Sequence, residues 1–245
     1  MRIVDVHTHA GKWMFPIAPA SLDDLLGMER AAGIETCVVS SAPAIVYDFR
    51  EGNAELAAGL DGRTGCFGYV VANPHYLEES LDEMAAYARH PKFVGLKLHH
   101  EQQAFAMDDP AVARLVEEAA RLRWPVLAHT FSVAAAAHLR ALAARHPALP
   151  FIMAHMGGAQ WRQAIPVVAD APNIYLDPCS SYAERGKVEL AVALVGPGRV
   201  VFGSDATLFN PWFTRGMVDG AALDDETRRR IYWDNARVIF GERLD

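Results

Sequence analysis

Cysteine is scarce in this 245-residue chain. The three present, Cys37, Cys66 and Cys179, are scattered and odd in number, which argues against a disulfide framework, and no C-x-x-C spacing offers a redox or zinc motif. Positive charge is also short: Lys and Arg number 23 against 30 Asp and Glu, a net charge of −7. The longest basic run, at 228–230, reads as a solvated helix face, so a nucleic-acid footprint is not expected. No apolar run approaches the ~18 residues of a membrane span. The first residues lead straight into an apolar pattern, without a basic stretch and cleavage site. The expectation is a cytoplasmic protein that engages neither membrane nor nucleic acid. A Gly-rich phosphate turn is missing too. The place after the first apolar run, where a doubly wound nucleotide-binding sheet would carry one, holds His7-Thr8-His9 instead.

What the chain does have is alternation. Hydrophobic residues make up 51% of it, enough for a large core. Short apolar runs recur at 2–9, 36–40, 66–71, 93–98, 125–128, 151–154, 174–176 and 200–202. Helical patterns separate them. Ser21 caps a helix with Leu22, Leu25 and Leu26 on one face. Others are expected at 53–60, 78–89, from the Asp109-Pro110 start, and at 132–145, 184–195 and 224–240, with one after the sixth run interrupted by Pro166. Eight strand–helix units without a linker predict an α/β fold, a (β/α)8 TIM barrel forming one domain over 1–245.

The polar residues then fall in register. His7 and His9 end the first run and share a face if it is a strand, with Asp5 one pleat below them. Lys97 and His99 end the fourth run, His129 the fifth and His155 the sixth, and Asp205 follows the eighth. In a barrel these C-terminal ends form one rim, where barrel enzymes keep their chemistry. Packing alone does not place imidazoles there, because core positions favour Val, Ile and Leu. Imidazole nitrogens and a carboxylate suit Zn, Mn or Fe(II) better than Ca or Mg. Such an ion lowers the pKa of bound water toward 7. His99 shares the face of Lys97 and is expected to line the pocket, with Trp13, Met14 and Phe15 as further walls. Arg185 and Tyr182 follow the seventh run, and Arg185 is placed to grip an anionic substrate. Cys179 lacks a His partner in sequence and is not read as a nucleophile.

At this point the chain resembles the amidohydrolase superfamily, in the branch that contains metal-dependent hydrolases, lactonases and decarboxylases of the aminocarboxymuconate-semialdehyde type. The resemblance rests on Val4-Asp5-Val6-His7-Thr8-His9, Gly95-Leu96-Lys97-Leu98-His99, Ala128-His129-Thr130, His155-Met156-Gly157-Gly158, Phe202-Gly203-Ser204-Asp205 and the closing Asn235-Ala236-Arg237. It implies that His7, His9, His129 and Asp205 bind one divalent transition metal, Zn first, with Mn or Fe as alternatives. His155 would polarise substrate or act as acid and base, and Asp205 would accept a proton from water. Lys97 would hold a substrate carboxylate; in two-metal relatives the equivalent lysine is carboxylated and bridges a second ion.

The leading expectation is hydrolysis of an ester, lactone or amide of a small, anionic molecule. The alternative is non-oxidative decarboxylation of an unsaturated or aromatic acid, held second because such decarboxylases tend to be longer chains. A TatD-like nuclease would want Glu where Lys97 stands, and a catalytically dead scaffold would have lost ligands that are all present. A homodimer is the default assembly.

Overall fold

The structure, a computed structural model, describes residues 1–18 and 20–244. Its frame is a single parallel sheet whose seven strands follow sequence order. They are β1 (Val4–Ala10), β2 (Thr36–Ser41), β3 (Cys66–Val71), β4 (Phe93–Leu98), β5 (Val126–His129), β6 (Phe151–Ala154) and β7 (Ile174–Leu176). Nearly every strand residue is buried, as expected of strands covered on both faces. The helices that follow them are α1 (Leu22–Ala31), α2 (Ala42–Val46), α3 (Phe49–Leu60), α4 (Leu77–Tyr87), α5 (Pro110–Leu122), α6 (Val133–Arg145), α7 (Trp161–Val167) and α8 (Lys187–Val195). Helices α9 (Pro211–Asp219), α10 (Asp225–Arg229) and α11 (Asn235–Phe240) complete the chain. Among the described residues no helix is long and apolar enough to cross a membrane.

Local chemistry sets the boundaries. Ser21 and Asp24 form a reciprocal capping box on α1. The helix after β2 starts before the expected Asn53, because the Asp48 carboxylate accepts the N–H groups of Arg50 and Glu51 and caps α3 there. Pro125 has no N–H to give, so β5 begins at Val126 and takes in His129. The expected single helix at 224–240 is two helices joined by a π-helical turn at Arg230–Asp234, and α9 was not foreseen.

The eighth run differs most from expectation. Residues 200–202 are not a strand of the sheet; they make isolated bridges instead. Val201 N–H donates to Leu176 O at 2.9 Å, and Val6 N–H to Phe202 O at 3.0 Å. The segment therefore touches both β7 and β1, curling the sheet until its edges meet across one short stretch. It does not extend into a ladder because Phe202 N–H goes to Ile231 O and Ser204 N–H to the Asp5 carboxylate. Asn235 Nδ2 pins the entry to this segment, donating to Pro197 O and Val200 O.

Two apolar layers result. Leu25, Leu56, Met84, Leu115 and Leu139 of the helices pack against the outer face of the strands. Inside the curl, Val38, Phe67, Tyr69, Leu127, Ile152 and Val201 form a second cluster with Phe240 and Leu244. The Tyr69 hydroxyl reaches across it to Val6 O at 2.9 Å.

Candidate metal centre and active-site cavity

β1 is not a regular strand. Asp5 pairs with Cys37 and Thr8 with Val39, so Val6 and His7 together oppose Val38. One extra residue is a bulge, a device that re-aims side chains. It breaks the alternation that would set Asp5 beneath His7. Asp5 is instead a structural acceptor, taking the backbone N–H groups of His7 at 3.0 Å and Ser204 at 3.1 Å. Burial raises its carboxyl pKa to about 8.

Three donors converge at the C-terminal end of β1. His9 Nε2 lies 3.2 Å from His7 Nε2, and Asp205 Oδ1 is 3.2 Å from the first and 3.6 Å from the second. All three residues are buried, and their ligand atoms lie within 4.8 Å of one another. Burial, and next the Lys97 charge, hold His7 well below the usual imidazole range; burial lowers His9 as well. Both rings are therefore neutral and carry a lone pair. Asp205 is pushed up by burial, but the hydrogen bond to His9 and the neighbouring His155 outweigh this and keep it an anion.

His7 is oriented by a residue the sequence reading passed over. Asp177, directly after β7, places Oδ2 2.7 Å from His7 Nδ1 and accepts Cys179 N–H on Oδ1 at 2.8 Å. With Nδ1–H committed to a carboxylate, the His7 lone pair sits on Nε2 and faces the cluster. The signal was available: Asp177 ends an apolar run just as His129 and His155 do. The buried Lys187 fixes its loop, donating to Pro178 O and Ser180 Oγ at 2.9 Å each.

His129 is not brought into this set, contrary to the expected four-ligand arrangement. Its Nδ1 faces His155 Nε2 at 3.1 Å and its Nε2 faces Glu101 Oε2 at 3.1 Å. β5 is displaced around the curl from β1, and its terminal imidazole pairs with the neighbour on β6. His155 Nδ1 donates to Cys179 O at 2.9 Å. Burial, and next the His129 charge, put His155 well below the ordinary range. Glu101, about half-exposed, is the second residue missed.

The cavity over these groups measures about 170 Å³. His7, His9, His129, His155 and Asp205 form its base, and Trp13, Phe15, Phe131 and Phe209 its walls. His99 lines it as expected, stacked on His129 with ring centroids 4.0 Å apart. Met14 points to solvent. Lys97 is fully buried and does not line the cavity: its Nζ lies 2.9 Å from His7 Nε2, and burial lowers its pKa to about 8. It is thus not positioned to hold a substrate carboxylate. Arg185 is exposed and borders a separate groove with Glu184 and Phe213, because the loop after β7 turns inward at Asp177 and outward by Arg185. Cys179 is buried, and burial lifts its thiol well above the usual range, as befits an inert residue.

The two residues expected to carry chemistry sit on left-handed backbone. His155 has φ 67° and Asp205 φ 59°. Non-glycine residues there cost on the order of 1–3 kcal/mol and persist where the surroundings over-determine them. Asp205 is held by its N–H to His7 O at 2.8 Å. His155 is followed by Gly158, where a Cβ would lie 2.5 Å from the Phe131 ring.

The donor set fits a divalent transition metal: two neutral imidazoles and one carboxylate, buried together, with the orienting carboxylate in place behind His7. No curated protein matches the chain. Solved structures do match in fold. A 2,6-dihydroxybenzoate decarboxylase from Rhizobium has TM-score 0.80 and 18% identity, over 98% of this chain and 98% of that one. A dihydroxybenzoic acid decarboxylase from Polaromonas, with bound manganese, has TM-score 0.79 and 17% identity, over 98% and 96%. An amidohydrolase from Burkholderia multivorans has TM-score 0.78 and 16% identity, over 98% and 99%. A family model described as amidohydrolase matches residues 4–241, nearly the whole chain, and with the histidine–aspartate cluster at the strand ends this places the chain in the amidohydrolase family.

Proposed function

We propose that the chain is a metal-dependent hydrolase acting on the carbonyl of a small, flat ester, lactone or amide. The convergence of His7 Nε2, His9 Nε2 and Asp205 Oδ1 carries this reading. It takes the fold as a (β/α)8 barrel in one domain, with residues 200–206 in the eighth strand's place. His7, His9 and Asp205 would hold one ion, zinc first and manganese or iron next. When bound, it supplies Lewis-acid polarisation of a carbonyl and makes water acidic enough to react near neutrality.

The chain's own residues do the rest. The aromatic walls Trp13, Phe15, Phe131 and Phe209 suit a planar group. Asp205 accepts the proton of the attacking water on its carboxylate. His155, its Nδ1–H fixed on Cys179 O, turns Nε2 toward the cavity base. There it can accept a proton from His129 and pass it to a leaving oxygen or nitrogen. Glu101 links His129 to solvent, since its half-exposed carboxylate faces His129 Nε2. No Lys or Arg lines the cavity among the described residues, so neither Lys97 nor Arg185 selects an anionic substrate.

The Glu101–His129–His155 chain also favours the second reading, decarboxylation of an aromatic or unsaturated acid, in which the same chain would protonate the ring carbon that loses carbon dioxide. Turnover of a panel of lactones, aryl esters and hydroxybenzoates in 18O-labelled water, with zinc or manganese added, tests both. Label in the product acid supports hydrolysis. Carbon dioxide release with no label in the remaining organic product supports decarboxylation. Metal content tests the single ion: two equivalents per chain would instead favour a carboxylated Lys97 beside a second ion.

A further inference from the structure

A second cavity, of about 690 Å³, shares no residue with the first. It lies at the other end of the sheet, bordered by the residues that lead into β5 and β6 and by the end of α11. Its volume is within the range of small-molecule sites. Leu149, Ile239 and Phe240, all buried, contribute an apolar floor. Around it stand Arg123, Arg145, Arg243 and His146, and no carboxylate is among the described lining residues.

That concentration of positive charge is unusual in a chain of net charge −7. Arg145 has a distant partner, Glu117, at 3.6 Å. Among the described residues, Arg243 donates to Leu122 O at 3.4 Å, and neither it nor Arg123 has a carboxylate partner. Burial, and then the Arg123 charge, hold the Arg243 guanidinium below its ordinary range. His146 Nε2 is buried without a hydrogen-bond partner. Among the described residues, two guanidiniums without a carboxylate partner and an unused imidazole nitrogen stand above an apolar floor, the chemistry of an anion receptor.

We propose that this cavity binds an organic anion, a carboxylate or phosphate monoester on an aromatic or short acyl body. The anionic group meets Arg123 and Arg243, and the body lies on Leu149, Ile239 and Phe240. The apolar floor distinguishes such a ligand from inorganic phosphate, and the guanidiniums distinguish it from a neutral aromatic.

Calorimetric titration of the full chain with phenyl phosphate, inorganic phosphate and phenol tests this. Phenyl phosphate is expected to bind one per chain, and the other two at least tenfold more weakly. Arg243→Ala and Arg123→Gly should each weaken it on the order of tenfold, the effect of losing one charge-assisted hydrogen bond. Arg123 has φ 56°, so glycine is at ease there and the second variant stands even if the first fails to fold. His9→Ala should leave the affinity unchanged, which separates this cavity from the metal centre. No binding at millimolar ligand overturns the proposal. So does equal affinity for inorganic phosphate, indifference to both arginine variants, or loss of binding in His9→Ala.

Discussion

Replacing Asp177 by Asn should weaken metal binding while leaving the metal-free protein intact. The carboxylate accepts the His7 Nδ1 proton at 2.7 Å in a fully buried setting. An amide offers an NH2 in place of one oxygen. Its oxygen is still needed by Cys179 N–H, so the NH2 turns toward His7 and drives the imidazole proton onto Nε2, the atom that faces His9 and Asp205. A buried charge-assisted hydrogen bond contributes about 1.5–3 kcal/mol. Loss of an orienting partner behind a ligating histidine typically costs ten- to a hundredfold in affinity, the same range of energy. The metal-free protein should respond oppositely. Burial raises the Asp177 carboxyl to about 7 from 3.8. The folded state then holds a proton that the unfolded state releases, so stability falls as pH rises from about 3.8 to 7, by at most roughly 4 kcal/mol. Asn carries no such cost, and at pH 8 the metal-free variant should be no less stable than the parent. Zinc competition against a chromophoric chelator reads the affinity, and urea unfolding in EDTA reads the stability. Affinity within twofold of the parent would refute the orienting role. A parallel loss of metal-free stability would mark Asp177 as a packing residue only.

Gly203→Ala should act on the same contact from the other side: its Cβ would lie 2.7 Å from the Asp177 carboxyl carbon, and the overpacking should cost about 1–3 kcal/mol in urea unfolding and weaken metal binding with it. Glu29 in α1 is buried with neither carboxylate oxygen hydrogen-bonded, and burial lifts its pKa well above 4.5. Because the folded state keeps this proton, stability is lost with rising pH above 4.5, at up to about 1.4 kcal/mol per pH unit. Glu29→Gln should therefore gain on the parent between pH 5 and 8; a gap that does not change with pH would contradict this. His155→Asn should lower kcat by about 10²–10⁴ with metal content unchanged, whereas equal loss of metal would make His155 a ligand.

Much of this was legible in sequence because both signals are local. Short apolar runs and capping residues mark strands and helix starts wherever they fall, and polar residues at the ends of those runs mark the rim. His7, His9, His99, His155 and Asp205 were all found that way, and all line one cavity. Asp177 obeys the same rule, ending the apolar run at 174–176, but its orienting role depends on a contact with His7, far away in sequence, that no local pattern encodes. Arg185 was misplaced because the direction of a loop residue depends on turns the sequence does not specify.

The chain's composition and periodicity thus determined an α/β fold, the end of the sheet that carries chemistry and most of the residues that could perform it. Tertiary structure alone decided how they are grouped. The bulge opposite Val38 turns the Asp5 carboxylate onto the backbone N–H groups of His7 and Ser204. The curl of the sheet gathers His7, His9 and Asp205 in one set and turns His129 toward His155 and Glu101 in another. It also sinks Lys97 below the cavity it was expected to line. Strand register, bulges and curvature arise from contacts between residues far apart in sequence, such as Asp5 with Ser204 and His7 with Asp177. Local patterns say that a residue is at the rim, and only those distant contacts say which neighbour it meets there.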